Sequence, residues 1–535
     1  MTEQELLQTY ARPIVHMRRQ FEQGRLAPIL GAGISKSFGL PAWPDFVKAI
    51  AEDPAVSGQE ILKRVNDRGS LPFMTELLFQ HFRKTELDKR KDEEVRSLEF
   101  ENRTHAKWQR ICAEHLYQGA TEDFEKRLDD HPYLTRILPI IRRAALTVTY
   151  NFDDFVELAL RAKKLETDKT RGFETVTNPW IQFRRTNGVV YHANGVIKSE
   201  LMELPVDKFI LSESSFARDR QGDGSFLLNH FCKNTCLLIG SSLEDESLRS
   251  TLIRAAATSP GNFHYCIYYL RKGETVEPAD AEAIRRAHFN VFNLITLFLG
   301  DEDIAALAAL IDHEQVSTNV LSDRAQLAGV PLAYRYYITG AVGVGKSTTA
   351  RHLQNLVVLD EWIDPRPPIL AKPWDTLTPE ETEIANAFIV KQFAIKNDTL
   401  RREPVGLFIV DRPPLDPLTF TPREDWRAKA TLLLETICPD RIWRIVNGTV
   451  ILLRGDPIEL SVRVLATGRD DYSQEKLTEM QAALEIVYRG AGVFRVETRG
   501  MSMPEVTRKV AEIVFFETYN EADLHRSLEG YADEH

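Results

Sequence analysis

Gly340, Gly343, Gly345, Lys346 and Ser347 fall in the pattern G-x-x-x-x-G-K-S. Glycines at these spacings let backbone amides close around phosphate oxygens. The lysine reaches the β and γ phosphates, and the serine hydroxyl ligates Mg²⁺. The string therefore predicts a site for ATP or another nucleoside triphosphate with Mg²⁺, with Ser347 as the metal ligand and Thr348 continuing the phosphate contacts. Further along, Asp411 and Arg412 follow the apolar run 406–410, and Glu361 stands just past the run 355–359. Arg463 and Arg469 share the string R-V-L-A-T-G-R. Arginine can neutralise charge on a phosphoryl group. A solvated or ion-paired side chain explains each of them as well.

A second set of strings lies in the first half of the chain. Gly31, Ala32, Gly33 and Ser35 follow the apolar run Leu26–Leu30, and Asn151 and Asp153 lie just past 145–149. His192 ends the run Val189–His192, with Asn194 and Gly195 beyond it. Gly240 and Ser241 follow Thr235–Ile239, and Asp245 comes after that loop. Each string sits where a strand would end, and ligands of open α/β sheets bind beyond the carboxyl ends of strands. Glycines there allow a pyrophosphate to approach the backbone. Asn and Asp suit ribose or water contacts, and a histidine with a pKa near 6.5 can accept a proton at neutral pH. Taken singly, each string has a plainer reading: a tight turn, an Asx-type helix cap, a structural histidine.

These residues need strands to carry them. Strand-like runs recur at Leu26–Leu30, 145–149, Val189–His192, 209–212, Thr235–Ile239, 264–270 and 291–299, with helical periods between several of them. Such alternation predicts a parallel sheet with helices on both faces. Residues 4–25 read as an amphipathic helix. Residues 46–142 are polar, charged and helical in period, a helical insertion within the first domain. A new alternation starts at 334, with strands expected at 334–339, 355–359, 406–410 and 448–453. The fold class that follows is α/β: a Rossmann-like doubly wound parallel sheet with a helical insertion, then a P-loop NTPase α/β domain. The expected division is 1–315, a linker at 316–332 within the weakly patterned stretch 312–329, and 333–535.

Composition limits the partners. A chain of 535 residues is too long for one core. Its formal net charge of -11 gives no signal for broad nucleic-acid binding. No apolar run reaches the roughly 20 residues that span a bilayer, and the polar start of the chain does not read as a secretory signal. The five cysteines are scattered and lack paired C-x-x-C spacing, which argues against disulfides or a four-cysteine zinc site. A reducing cytoplasm is the expected location.

The order and spacing of the first four strings resemble the sirtuin superfamily over roughly residues 20–300. That resemblance implies NAD⁺ as the bound substrate. It implies that Gly31, Ala32, Gly33 and Ser35 hold phosphates, with Gly240, Ser241 and Asp245 also in the NAD⁺ site. Asn151 and Asp153 would hold the nicotinamide ribose and its water, and His192 would be the base. His192 and Gly195 are separated by two residues where the family string is His-Gly. Trp43, the segments 209–216 and 237–249, and the missing zinc cysteines bring the chain closer to the bacterial defence branch than to the deacylases. The activity this implies is NAD⁺ glycohydrolysis to nicotinamide and ADP-ribose without zinc, in antiphage defence, by a homo-oligomer that answers a phage-derived trigger. Over roughly 333–518, Glu361, Asp411, Arg412, Arg463 and Arg469 resemble nucleoside and nucleotide kinases, so the second domain would regulate the first through nucleotide binding. The alternative is a kinase controlled by an NAD⁺- or ADP-ribose-sensing first domain.

Overall fold

In the computed structural model the chain folds into two compact units. The structure describes residues 1–65, 70–89, 98–118, 120, 124–163, 172–199, 223–372, 376–439, 443–466 and 472–533. The expected strand 209–212, the resemblance segment 209–216 and Arg469 lie outside the described residues. Unit one comprises Met1–Leu6, Gln20–Thr258 and Phe263–Ser317; unit two comprises Leu7–Arg19, Ser259–Asn262 and Thr318–His535.

Unit one is built on seven parallel strands: β1 (Leu26–Leu30), β2 (Leu146–Thr149), β3 (Glu174–Val176), β4 (Val189–His192), β5 (Thr235–Ile239), β6 (His264–Tyr269) and β7 (Leu294–Leu299). Their order is β3-β4-β2-β1-β5-β6-β7. From β4 to β7 this is the doubly wound order of dinucleotide-binding sheets, with β3 added at one edge. The chain reverses direction across the sheet between β1 and β5, which makes that pair the switch point. The register levels the strand ends there: Leu30 pairs with Thr149 and with Ile239, and Thr149 pairs with His192. The residues that leave the sheet after β1, β2, β4 and β5 are thereby brought to one edge.

β1, β2, β4 and β5 are buried along their whole length. That explains their near-continuous apolar runs, since helices cover both faces of a parallel sheet. Ile29, Val148, Tyr191 and Leu238 share one core with Phe231, Leu252 and Leu294. Full burial of each such side chain contributes about 1.5–3 kcal/mol. Helices fill the chain between β1 and β2, from Trp43–Glu52 to Pro132–Arg143.

Two expectations shift. The run 291–299 is not one strand: helix Pro278–Phe292 occupies its start, and Asn293, at φ 53°, ends the helix in the left-handed region before β7 begins. Asparagine tolerates that conformation better than other side chains with a Cβ. The stretch expected as a linker contains the helix Thr318–Ala328, with Leu321, Ala325 and Ala328 buried. Its polar outer face hid a period that three small or aliphatic residues carry.

Unit two has a five-stranded parallel sheet of β8 (Ala333–Gly340), β9 (Val357–Leu359), β10 (Gly406–Asp411), β11 (Thr449–Arg454) and β12 (Val493–Glu497). The order is β12-β11-β8-β10-β9, which puts the strand leading into the glycine-rich loop at the centre. The first helix, Glu3–Glu22, leaves helical geometry at Tyr10 and carries Pro13. Its Leu7–Arg19 stretch is fastened within unit two. Arg12 donates to the Val514 and Glu517 carbonyls at 2.8 and 2.7 Å, and buried His16 pairs with the Asn355 carbonyl at 2.9 Å.

All five cysteines are free thiols. Among the described residues no helix is long and apolar enough to cross a membrane, and no cluster of three or more His, Cys, Asp or Glu side chains could hold a metal ion.

Candidate functional site

At the switch point the backbone approaches itself too closely for side chains. A Cβ on Gly31 would lie 2.5 Å from the Gly240 carbonyl oxygen, and one on Gly240 would lie 2.6 Å from the Ile34 amide nitrogen. The Gly31 amide donates to the Ile239 carbonyl at 2.9 Å, and the Gly33 amide to that of Gly240 at 2.8 Å. Glycine at 31 and 240 is thus a packing requirement, which lets the two turns close on each other at the lip of the sheet.

Around this lip the polar side chains interlock. Asn151 Nδ2 donates to the Gly31 carbonyl at 3.0 Å and to Ser35 Oγ at 3.2 Å. Ser35 Oγ donates to Asp153 Oδ1 at 2.9 Å, and the same oxygen accepts from the Phe155 amide at 3.1 Å. His192 is fully buried; its Nδ1 lies 3.2 Å from the Asn151 carbonyl oxygen and its Nε2 2.8 Å from Glu157 Oε1. Thr175 Oγ1 also donates to that Glu157 oxygen, at 2.9 Å. Behind the cluster, Tyr117 Oη lies 2.9 Å from Asp154 Oδ1 and 2.6 Å from the Ile197 carbonyl oxygen, its one proton shared between them, which fixes the loops after β2 and β4.

Burial sets the electrostatics. It opposes charge on His192, yet the Glu157 carboxylate and its hydrogen bond outweigh it and hold the histidine above its ordinary pKa. Burial likewise opposes charge on Glu157, and His192 holds it below the ordinary range. Both directions describe one buried ion pair. Asp153 is different: burial pushes it up to about 6, against the hydrogen bonds from Ser35 and Phe155.

The Asp153 shift makes a stability prediction. A carboxyl with a raised folded-state pKa destabilises the fold once the pH is above that value, and the cost disappears as the pH falls towards the unfolded value near 4. Two pKa units correspond to about 3 kcal/mol. Asp153→Asn keeps an acceptor for Ser35 and Phe155 but removes the charge. Its melting temperature at pH 7.5 is expected to exceed that of the parent by about 2–5 °C, with the gap narrowing at pH 5. A lower melting temperature at pH 7.5 would contradict this.

In unit two Lys346 is buried, and its Nζ donates to the Gly340 and Ala341 carbonyls at 2.8 and 3.0 Å. Burial, then the neighbouring Arg412, lowers its pKa to about 8 against the pull of Asp411, Asp416 and Glu361. Ser347 Oγ donates to Asp411 Oδ2 at 2.7 Å, and buried Asp411 Oδ1 has no hydrogen-bond partner. A hydroxyl and a carboxylate with a spare oxygen fit Mg²⁺, which takes one or two protein oxygens alongside nucleotide phosphates and water.

Arg412 sits at φ 68°, unusual for a side chain of its size. It donates to Glu361 Oε1 at 2.7 Å and to Asp416 Oδ2 at 3.2 Å. Buried Lys396 donates to the Asp411 carbonyl at 2.7 Å, fastening the backbone beside it. Thr339 and Tyr488 donate to the other Asp416 oxygen at 2.6 and 2.8 Å.

The structure therefore brings Gly31, Ser35, Asn151, Asp153, His192 and Gly240 together. Ala32 and Gly33 lie exposed in the same turn. Ser241 Oγ accepts from the Leu243 amide at 3.3 Å within its own turn. Asp245 instead accepts from the Leu248 amide at 2.8 Å at the start of helix Glu246–Thr258, the helix-cap reading. Lys346, Ser347, Asp411, Arg412 and Glu361 form the second cluster. Thr348 is exposed beside it. Arg463 is carried by helix Pro457–Ala466 and its charge faces Glu459 at 3.5 Å, a partly exposed pair. Val464 and the Leu460 carbonyl of that helix lie within reach of a Cβ placed on Gly343.

Glu157, Thr175, Asp416 and Lys396 join these clusters from outside the strings that the sequence marks. Glu157 had a legible signal: a carboxylate among Phe155, Val156, Ala159 and Leu160, on the buried face of its helix.

A family model described as the SIR2-like domain matches residues 145–291. That stretch holds Asn151, Asp153, Glu157, His192 and Gly240, which take in the ends of three strands, β2, β4 and β5. No curated protein matches the chain. Among solved structures, the thymidylate kinase of Candida albicans is 16% identical, covers 34% of this chain and 91% of its own, and gives a TM-score of 0.25. A gluconokinase from Sinorhizobium meliloti 1021 is 15% identical, covers 38% and 95%, and gives a TM-score of 0.22.

Proposed function

We propose that the SIR2-like unit hydrolyses NAD⁺ to nicotinamide and ADP-ribose, and that the P-loop unit, binding ATP or another NTP with Mg²⁺, governs when it does so. The observation that carries the reading is the convergence of Asn151, Ser35, Asp153 and His192 on the Gly31–Gly240 lip. A glycine turn at the strand ends suits the pyrophosphate. Asn151, on exchanging its Gly31 and Ser35 contacts for substrate, would orient the ribose and a water. The C1′–N bond breaks with its electron pair leaving on nicotinamide, through an oxocarbenium-like state. Water adds to C1′, and its proton, or that of a ribose hydroxyl, passes to His192. The sum is NAD⁺ plus water giving nicotinamide, ADP-ribose and one proton.

The resemblance to the defence branch supports a role for this activity in bacterial antiphage defence, in the cytoplasm, as a homo-oligomer released by a phage-derived trigger. Nucleotide can control the first unit only by differential affinity for its on and off states. The second reading, a nucleoside or nucleotide kinase governed by an NAD⁺-sensing unit, is favoured by the Glu361–Arg412–Asp416 cluster beside Lys346.

The test is nicotinamide release by the purified full chain, with and without a panel of nucleoside mono-, di- and triphosphates and Mg²⁺. Nicotinamide and ADP-ribose in equal amounts, at a rate that depends on one nucleotide, are expected. Phosphoryl transfer from ATP to a nucleoside or nucleotide with NAD⁺ left intact would favour the second reading instead.

A further inference from the structure

His192 has acceptors on both sides. Nδ1 faces a backbone carbonyl, which can only accept, and Nε2 faces the Glu157 carboxylate. A neutral imidazole carries one N–H and could satisfy only one of them. Glu157 is itself 1% exposed, and its Oε2 is buried without a hydrogen-bond partner, so the carboxylate has committed its Oε1 to His192 and Thr175. The neighbouring contact differs: Nδ1 is 3.2 Å from the Asn151 carbonyl, a longer and uncharged bond. Of the two nitrogens, Nε2 is the anchored one. Nδ1 is turned to the loop that carries Asn151 and Asp153.

We propose that Glu157 is a positioning residue of the NAD⁺ site, holding the Nε2–H of His192 so that Nδ1 is the nitrogen that takes the reaction's proton. The proposal rests on the hydrolase reading above. Glu157 acts through His192 and touches no reacting atom. A carboxylate that fixes the tautomer and orientation of a histidine base raises its basicity and presents the opposite nitrogen. At rest the imidazolium donates from both nitrogens. Turnover needs the Nδ1 proton to leave to solvent and the Asn151 carbonyl contact to be exchanged for a ribose hydroxyl or water. Nδ1 then gains that proton while Nε2–H stays on Glu157. Thr175 from β3, Glu157 from helix Phe155–Ala162, and Asn151 and Asp153 from the loop after β2 face this pair. Of these, Glu157 and Asp153 carry the charge that acts on His192.

The experiment compares the parent chain with Glu157→Gln by two readouts. The first is the pH profile of nicotinamide release. The parent rate should rise with pH through a limb above about 6.5, the ordinary histidine value. In Glu157→Gln the limb should move down by a unit or more, because burial then acts on His192 without the opposing charge. The maximal rate should fall about 10- to 100-fold with KM for NAD⁺ little changed. The second readout needs no turnover: the ring ¹⁵N shifts of His192, identified by their loss in His192→Gln. Both nitrogens should be protonated at pH 7 in the parent, and the ring neutral in Glu157→Gln. The same limb in both proteins, or a neutral His192 ring in the parent at pH 7, would overturn the proposal. If Glu157→Gln does not fold, the parent ring measurement decides alone. If the parent releases no nicotinamide while its ring behaves as expected, the hydrolase reading has failed and the Glu157–His192 pairing has not.

Discussion

Asn151→Ala should lower the maximal rate of nicotinamide release by about 10²–10³-fold while NAD⁺ still binds, an effect of the size seen when one preorganised polar contact to a transition state is removed. Asn151 is buried at the switch point, with Nδ2 shared between the Gly31 carbonyl and Ser35. Both acceptors belong to the loop that would cradle the pyrophosphate, so the amide is held ready at the ribose end. Its loss leaves Gly31 and Gly240 in place, and the phosphate contacts with them. The expected signature is a lost kcat with a KM changed by less than about tenfold, since an interaction made only in the transition state leaves ground-state binding intact. Steady-state nicotinamide release gives the first quantity, and calorimetric titration with NAD⁺ gives binding directly. An unchanged kcat in the folded variant would remove Asn151 from the chemistry.

Lys346→Ala should weaken nucleoside triphosphate binding by about 100-fold or more and abolish any response of NAD⁺ turnover to nucleotide. The lysine is buried against the Gly340 and Ala341 carbonyls. Polyphosphate would replace those two neutral acceptors with charged ones, and charge-assisted hydrogen bonds are roughly twice as strong. A hydrogen bond to a charged group contributes about 1.5–3 kcal/mol, and the lysine reaches two phosphates. Fluorescent-nucleotide titration of the parent and variant, with the far-ultraviolet spectrum as a check on folding, reads the effect. A variant that binds as tightly as the parent would mean that the loop does not hold the phosphates. Binding lost with the nucleotide response retained would mean that control does not run through this site.

Much of the fold could be read because parallel strands are buried on both faces. The runs at β1, β4, β5 and β10 are largely apolar and buried, and each ends at or just before Gly, His or Asp, which makes such stretches hard to mistake. β3 and β12 escaped notice for the opposite reason: each is an edge strand of three or five residues with charged positions, Glu174 in one and Arg495 and Glu497 in the other. The helix Thr318–Ala328 was hidden in a polar stretch. The site divides in the same way. Residues that announce themselves by position at a strand end, Asn151, Asp153, His192 and Lys346, could be found from the string alone. Glu157, Asp416 and Lys396 act through contacts 35, 77 and 15 residues away in the chain, which no local pattern reveals. Asp245 was legible as a polar residue past a strand end, and one of its carboxylate oxygens accepts from the Leu248 amide.

The proposed reaction is cleavage of NAD⁺ at C1′ by water in the unit that carries the SIR2-like match. Its most direct measurement is the mass of the ADP-ribose formed by the full chain in H₂¹⁸O, with whichever nucleotide gives the fastest turnover and with His192→Ala alongside. One ¹⁸O atom is expected in the product ribose when the reaction is quenched at once, with one nicotinamide per ADP-ribose and neither product from the variant. NAD⁺ left intact under every nucleotide, or release of nicotinamide without ADP-ribose, would contradict it.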